Sequence, residues 1–205
     1  MSHRSPALAA LLVPLALAAC GARVPDSGAG VAERLASGGS GRSGGGSAEA
    51  LALPAATPGA ALAFGQVATA CGTPDSAMGP AIEAAAGYAI HDADPTATGP
   101  RTHYLTGFSD GCPRQVTAAL AVMGDPVTHE TFRYESTDAP FDATDTAYEQ
   151  VKAQVCGVPS GTPCGGATDR LTADTAFVTL YPVFGGQDSI DLLLHAGEVV
   201  AVDTP

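Results

Sequence analysis

The segment GYAIHDADPTATGPRTHYLTGF, residues 87–108, decides how the fold is read. Its two ends, GYAIHD (87–92) and THYLTGF (102–108), are rich in aromatic and β-branched residues and bounded by Gly and Pro, the mark of β-strands. The loop DPTATGPR (94–101) joins them. A simple hairpin centred near Ala97 sets His91 opposite His103. Cross-strand neighbours approach to about 5 Å at Cβ, close enough to share a metal ion or a proton. His91 and His103 are therefore the metal or catalytic candidates, although ordinary half-exposed histidines fit the same pattern. Asp92 stays apart from His91, because adjacent strand residues face opposite ways.

Working outward, Phe64–Cys71 (FGQVATAC) reads as a short amphipathic helix. Residues 72–86 give no firm element, since Gly79-Pro80 interrupts any helix. Ser109-Asp110-Gly111 supplies a tight turn. Gln115–Met123 follows as a third strand, with a buried helix as its rival because a short apolar run is ambiguous. Asp125-Pro126 starts a helix reaching about Tyr134, Asp as cap and Pro in the first turn. A second helix is capped by Thr144 or Asp145, puts Ala147, Tyr148, Val151 and Val155 on one face, and ends at Gly157. Thr175–Phe184, Ser189–His195 and Glu198–Asp203 read as strands, the last two joined by a hairpin at Ala196-Gly197. The expectation is an α+β fold with a mostly antiparallel sheet of about five to six strands and two to three short helices, in a domain spanning residues 61–205.

That domain is strongly acidic. From residue 61 onward 18 Asp and Glu face five Arg and Lys, a formal charge of −13. Such a surface repels phosphate backbones, which argues against nucleic acid as a partner. The plain reading is a solvated surface; a basic partner is the functional one. No residue pattern calls for a cofactor. His129-Glu130 begins no H-E-x-x-H, since Arg133 stands at the second His position, and His195 has no nucleophile near it in sequence. G-x-G-x-x-G at Gly39, Gly41 and Gly44 and G-x-S-x-G at Gly41, Ser43 and Gly45 lack the strand and helix either motif needs.

Ahead of the domain, residues 20–60 read as linker. Ala, Gly, Ser and Pro fill 28 of positions 21–60, too little apolar surface to offset the entropy of ordering. As a random coil the linker spans about 35 Å. Residues 1–19 open with His3 and Arg4 and continue as ALAALLVPLALAA (7–19), an apolar run too short to cross a bilayer but right for an export signal. An exported chain with four further cysteines, Cys71, Cys112, Cys156 and Cys164, points to disulfides. Three pairings are open. The turn-forming VPSGTP between Cys156 and Cys164 favours that pair, which leaves Cys71 with Cys112.

The run ends in Leu17-Ala18-Ala19-Cys20-Gly21, which resembles the lipobox of bacterial lipoproteins. The resemblance implies cleavage before Cys20, acylation of Cys20 with palmitate-type chains, and anchoring on the periplasmic side of the cell envelope. Gly21, where Asp would favour the inner membrane, leans the expectation towards the outer one. The string YLTGFSDGCPRQVTAALA (104–121), with FGQVATAC before it and YEQVKAQVCGV after it, is similar to small uncharacterised envelope proteins of alphaproteobacteria. That resemblance implies a location and no activity. The expected function is a non-enzymatic, membrane-anchored envelope lipoprotein that binds another protein or supports an assembly. A small-ligand or metal binder and an envelope hydrolase are the alternatives.

Overall fold

Nearly continuous apolar runs within residues 175–203 build the centre of the fold. In a computed structural model of the chain, residues 49–57, 59–135 and 139–203 are described, within one compact unit formed by 42–205. The expected export signal, Cys20 and the expected linker as far as residue 48 lie outside the described residues. Five strands, β1 (Ala68–Thr69), β2 (Ala81–Ala85), β3 (Tyr88–Asp92), β4 (Arg101–Thr106) and β5 (Arg114–Ala118), form one antiparallel sheet in the order β1-β5-β4-β3-β2. Four more, β6 (Leu120–Gly124), β7 (Thr175–Tyr181), β8 (Ile190–His195) and β9 (Glu198–Asp203), form a second in chain order. The helices are a single turn α1 (Asp75–Met78), then α2 (Pro126–Glu135), α3 (Ala143–Cys156) and α4 (Thr168–Thr172). The fold is α+β and antiparallel throughout its described strands. No described helix is long and apolar enough to cross a membrane.

The second sheet is the middle layer of three. Ala176, Val178 and Leu180 of β7, with Ile190, Leu192 and Leu194 of β8, face the first sheet and pack on Tyr88, Ile90, Leu105, Phe108 and Val116. Phe177 and Leu193, one residue out of phase, face the helices and pack on Tyr148, Val151 and Leu171. This double burial explains why TAFVTLY and IDLLLH are nearly continuous apolar runs. A bulge in β9 lets two successive residues, Val200 and Ala201, join the helix-side core. The β8–β9 turn is Ala196-Gly197, with φ of 49° and 82°. Positive φ at both turn residues matches the right-handed twist of a tight hairpin, and Ala stands where Asn or Asp is usual.

Two expectations are corrected here. Phe64–Cys71 is not a helix. Gly65 takes φ 90°, and residues 68–69 pair with Arg114 and Gln115 of β5 on one side. On the other side Thr69 exchanges main-chain hydrogen bonds with Pro54 O and Ala56 N–H. Two-sided main-chain pairing outweighs a weak helical pattern. Gln115–Met123 is two strands, not one, because the chain changes sheets at Ala119. The Ala119 N–H donates to Tyr181 O and its carbonyl accepts from Arg101 Nη1 at 2.5 Å.

Residues 51–57, read above as part of the linker, are tied to the head. The Leu51 N–H donates to Val199 O of β9 at 2.9 Å, and Leu53 packs on the inter-sheet core. This strap joins the edge of one sheet to the edge of the other. At the far seam the Glu83 carboxylate of β2 accepts the Met123 N–H of β6 at 2.5 Å. Disulfides join Cys71 to Cys112 and Cys156 to Cys164.

Candidate functional site: an acid-lined cleft beside the helix N-termini

The helices cover only part of the second sheet. Along its helix-side face, apolar Phe177 and Leu193 lie under them, whereas Thr179, Tyr181 and Asp191 continue the same alternation into a cleft. The cleft has a volume of about 440 Å³, and the first turns of α2 and α3 form its wall. Asp125 caps α2 by accepting the Thr128 N–H at 2.9 Å. Asp142, rather than Thr144 or Asp145, caps α3. It accepts the Asp145 N–H at 2.7 Å, and the Asp145 carboxylate accepts the Asp142 N–H in return. Capping thus brings carboxylates to both helix starts, where the partial positive charge of the helix favours them.

His129 and Arg133, four residues apart on α2, reach into the same wall. The imidazole stacks on Phe177 (4.2 Å between centroids) and meets the Tyr148 ring edge-on at 4.6 Å. Burial pushes the His129 pKa down to about 4, so the ring is neutral at pH 7. Its Nε2 lies 3.3 Å from Asp145 Oδ1, and Arg133 Nε lies 2.8 Å from Asp145 Oδ2. Neither contact is aligned as a hydrogen bond, so each acts as a charge or dipole contact. Arg133 is also used elsewhere: its Nη2 donates to Ala139 O at 2.6 Å and its guanidinium covers the Phe141 ring at 4.4 Å.

The carboxylates therefore outnumber the cations. Asp125, Asp142, Asp145 and Asp191 line the cleft against Arg133 alone. Burial, reinforced by repulsion from Asp142, raises the Asp145 pKa. Burial raises Asp191 as well, with Asp142 and Asp203 adding repulsion, even though Asp191 accepts the Thr179 hydroxyl at 2.6 Å. Phe132 stands at the rim with 64% of its surface exposed.

Behind this wall a second acidic group is differently made. Glu130 accepts the Tyr148 hydroxyl at 2.9 Å and the Cys164 N–H at 3.1 Å. Glu149 accepts Lys152 Nζ at 2.7 Å, the Gly161 N–H at 2.8 Å and the Tyr134 hydroxyl. Burial pushes the Glu149 carboxyl up, but these hydrogen bonds outweigh it and hold the pKa below its ordinary value. Lys152 has no exposed surface. These groups belong to the packing of α2, α3 and the loop closed by the Cys156–Cys164 bond.

The histidine pair expected from the sequence is not formed. Pairing of β3 with β4 sets His103 opposite Asp92 and His91 opposite Tyr104, one residue from the symmetric hairpin. That register puts Ile90 against Leu105 in the core; the alternative would have set Ile90 against half-buried Tyr104. His91 and His103 consequently face opposite sides. His91 lies between Gly79 O (3.2 Å) and Thr106 Oγ1 (3.3 Å). His103 is buried, its pKa lowered by that burial, with Nε2 3.7 Å from Asp92. Asp92 is held by Arg101 through a 2.6 Å ion pair. Among the described residues no group of three or more His, Cys, Asp or Glu is placed to hold a metal ion. His195 rests on the Thr175 hydroxyl at 2.8 Å, near Asp174.

Comparison with known proteins adds no relative: no family model matches the chain, and neither curated proteins nor solved structures give a match.

Proposed function

We propose that this chain is an envelope lipoprotein, anchored through acylated Cys20 on the periplasmic side, outer membrane rather than inner. In this reading its folded head captures a basic segment of a partner protein in the cleft between α2, α3 and the second sheet. The observation that carries the binding role is the unbalanced charge of that cleft. Four carboxylates meet one guanidinium already engaged with Asp145, Ala139 O and Phe141, beneath an exposed phenyl ring. A Lys or Arg side chain entering there gains Asp191 and Asp142 and can lie against Phe132 or Tyr181, an arrangement that favours cations on aromatic faces. The anchoring is supported by the lipobox at Leu17–Gly21 and by the two disulfides, which suit an oxidising compartment.

The test is in-cell photocrosslinking with a crosslinking residue in place of Phe132, in the full chain. The expected result is one abundant crosslinked protein, its contact peptide carrying Lys or Arg, with yield falling several-fold when Asp191→Asn is added. Background-level crosslinking, or a yield indifferent to Asp191, overturns the reading. Palmitate labelling tests the anchor: incorporation is expected in the wild type and absent in Cys20→Ala. A small cationic ligand is the second reading, favoured by the cleft's volume, which lies in the range of small-molecule sites. It predicts a ligand released on denaturing the purified head and no protein crosslink.

A further inference from the structure

β9 is the outer strand of the second sheet, and among the described residues its outer side is bordered only in part. Leu51 takes the Val199 carbonyl. Beyond that point, along residues 200–203, no described strand pairs with it. Of the other edges, β1 is bordered by residues 54–56, and one main-chain donor of β6, the Met123 N–H, is taken by the Glu83 side chain of β2. An open row of main-chain donors and acceptors is a template for another strand. Beside it runs an open groove of about 600 Å³ between β9 and α3, lined by Leu51, Phe141, Asp142, Ala147, Val200 and Val202. Asp142 lines both this groove and the cleft described above.

We infer that a partner segment binds by adding an extended strand to β9 at residues 200–203, with an apolar residue opposite Ala201 and a basic residue opposite Asp203. The inference rests on the cleft reading above and specifies how the same partner is held. Its geometry follows from the register. Asp203 pairs with Asp191, and residues directly opposite share a face of the sheet, so Asp203, Asp191 and the added strand's residue opposite Asp203 form one row on the helix side. A Lys or Arg in that place neutralises two adjacent carboxylates. Two residues along, the same face of the added strand passes Ala201 and enters the apolar groove beside Ala147. Main-chain bonds supply affinity and the two side chains supply selection, as in other strand-addition interfaces. A second copy of the chain is the wrong occupant. It would bring together two heads of formal charge −13 and leave Asp191 and Asp203 without a cation.

The probe is the end-blocked pentapeptide Lys-Thr-Val-Thr-Lys, which offers Val flanked by Lys on one face in either strand direction. It is added to the full chain in detergent, with hydrogen exchange and affinity as readouts. Strand addition predicts slowed exchange at residues 200–203. It also predicts affinity about two- to fivefold lower for Asp203→Asn, the range of one cross-strand charge pair. Binding should be lost with the Glu-Thr-Val-Thr-Glu peptide, and with the Lys peptide N-methylated at alternate residues. Binding that tolerates N-methylation and leaves exchange unchanged overturns strand addition while the cleft reading stands. Absence of peptide binding with the Phe132 crosslink intact has the same meaning; loss of that crosslink removes the cleft reading itself. Protection of 200–203 that grows with protein concentration in the absence of peptide assigns the edge to a second copy and overturns the inference.

Discussion

The helix layer and the sheet face it covers contain two groups of carboxylates built to opposite ends. Glu130 and Glu149 are buried and answered at each oxygen by a tyrosine, a lysine or a main-chain N–H. Asp142 at the start of α3 and Asp191 on β8 line the open cleft instead, and Asp191 is left with a raised pKa. The difference separates acids whose oxygens are all answered inside the fold from Asp191, which faces the cleft with the Thr179 hydroxyl as its partner. A buried carboxylate persists only with partners, whereas one at a cleft can await them. pH separates the two groups. Glu149, with a lowered pKa, adds stability above its ordinary value near 4.5 and loses that contribution as pH falls through its lower folded value. Asp191, with a raised pKa, costs nothing below its ordinary value near 3.8, and its penalty develops as pH rises through its folded value.

The most forceful way to break the contrast is Lys152→Met. It strands Glu149 without its cation in a site where Lys152 has no exposed surface. Removing one partner of a buried ion pair costs about 3–5 kcal/mol. A urea titration should show that loss, and the double variant Lys152→Met, Glu149→Gln should recover part of it. A double variant no better than the single one would mean that packing, not the unpaired charge, sets the cost.

His129 stands at the border between the two groups, against Tyr148 on one side and facing Asp145 on the other. Its folded pKa of about 4 lies below the ordinary 6.5, so the unfolded chain takes up the proton first. The contribution is complete above about pH 6.5 and is lost as pH falls from there towards 4. Its size is roughly 3–4 kcal/mol, since one pKa unit is about 1.4 kcal/mol. Urea midpoints measured at pH 7 and pH 4.5 should fall in the wild type by more than in His129→Gln, which starts lower because it lacks the stacking on Phe177. Equal pH slopes would show that the imidazole is solvated.

Opening the Cys156–Cys164 bond tests whether the interior group depends on its loop. That loop supplies Gly161 N–H to Glu149 and Cys164 N–H to Glu130. Closing an eight-residue separation contributes about 2–3 kcal/mol by chain entropy. Cys156→Ser with Cys164→Ser should lose that amount, and the loss should grow in a Glu149→Gln background only if the loop donor matters to the charge. The Phe132 crosslink should survive, since the cleft takes none of its lining from that loop.

The strands around this core were legible because they are long, β-branched and punctuated by Gly and Pro: 88–92, 190–195 and 198–203 follow directly from pattern. α3 was legible through Tyr148, Val151 and Gly157. The strand register was not. One residue of slip separates a histidine pair from the Asp92–His103 arrangement, and it is set by Ile90 meeting Leu105 across the sheet, a tertiary fact. The segment 64–71 misled because Ala and Val serve either element, and pairing on both sides chose. The cleft was only partly written in the chain. Asp142 and Asp145 have capping-box spacing, and His129 and Arg133 have helical spacing, so the wall could have been drawn from sequence. Asp191 and Phe132 could not, since nothing local says where the helices stop covering the sheet.

The gentlest variant separates folding from binding. Asp191→Asn keeps an oxygen to accept the Thr179 hydroxyl and removes a charge directly opposite Asp203. Like charges facing each other across a sheet cost roughly 0.2–1 kcal/mol, so the variant should be more stable than the wild type by that amount at pH 7. The gain should fade as pH falls through the raised folded pKa of Asp191 and be gone below its ordinary value near 3.8. The same variant should weaken partner capture. A residue whose removal stabilises the head while damaging binding is held against folding by function. If Asp191→Asn instead lowers the urea midpoint, the carboxylate is a structural acid of the Glu149 kind, and the two groups are one.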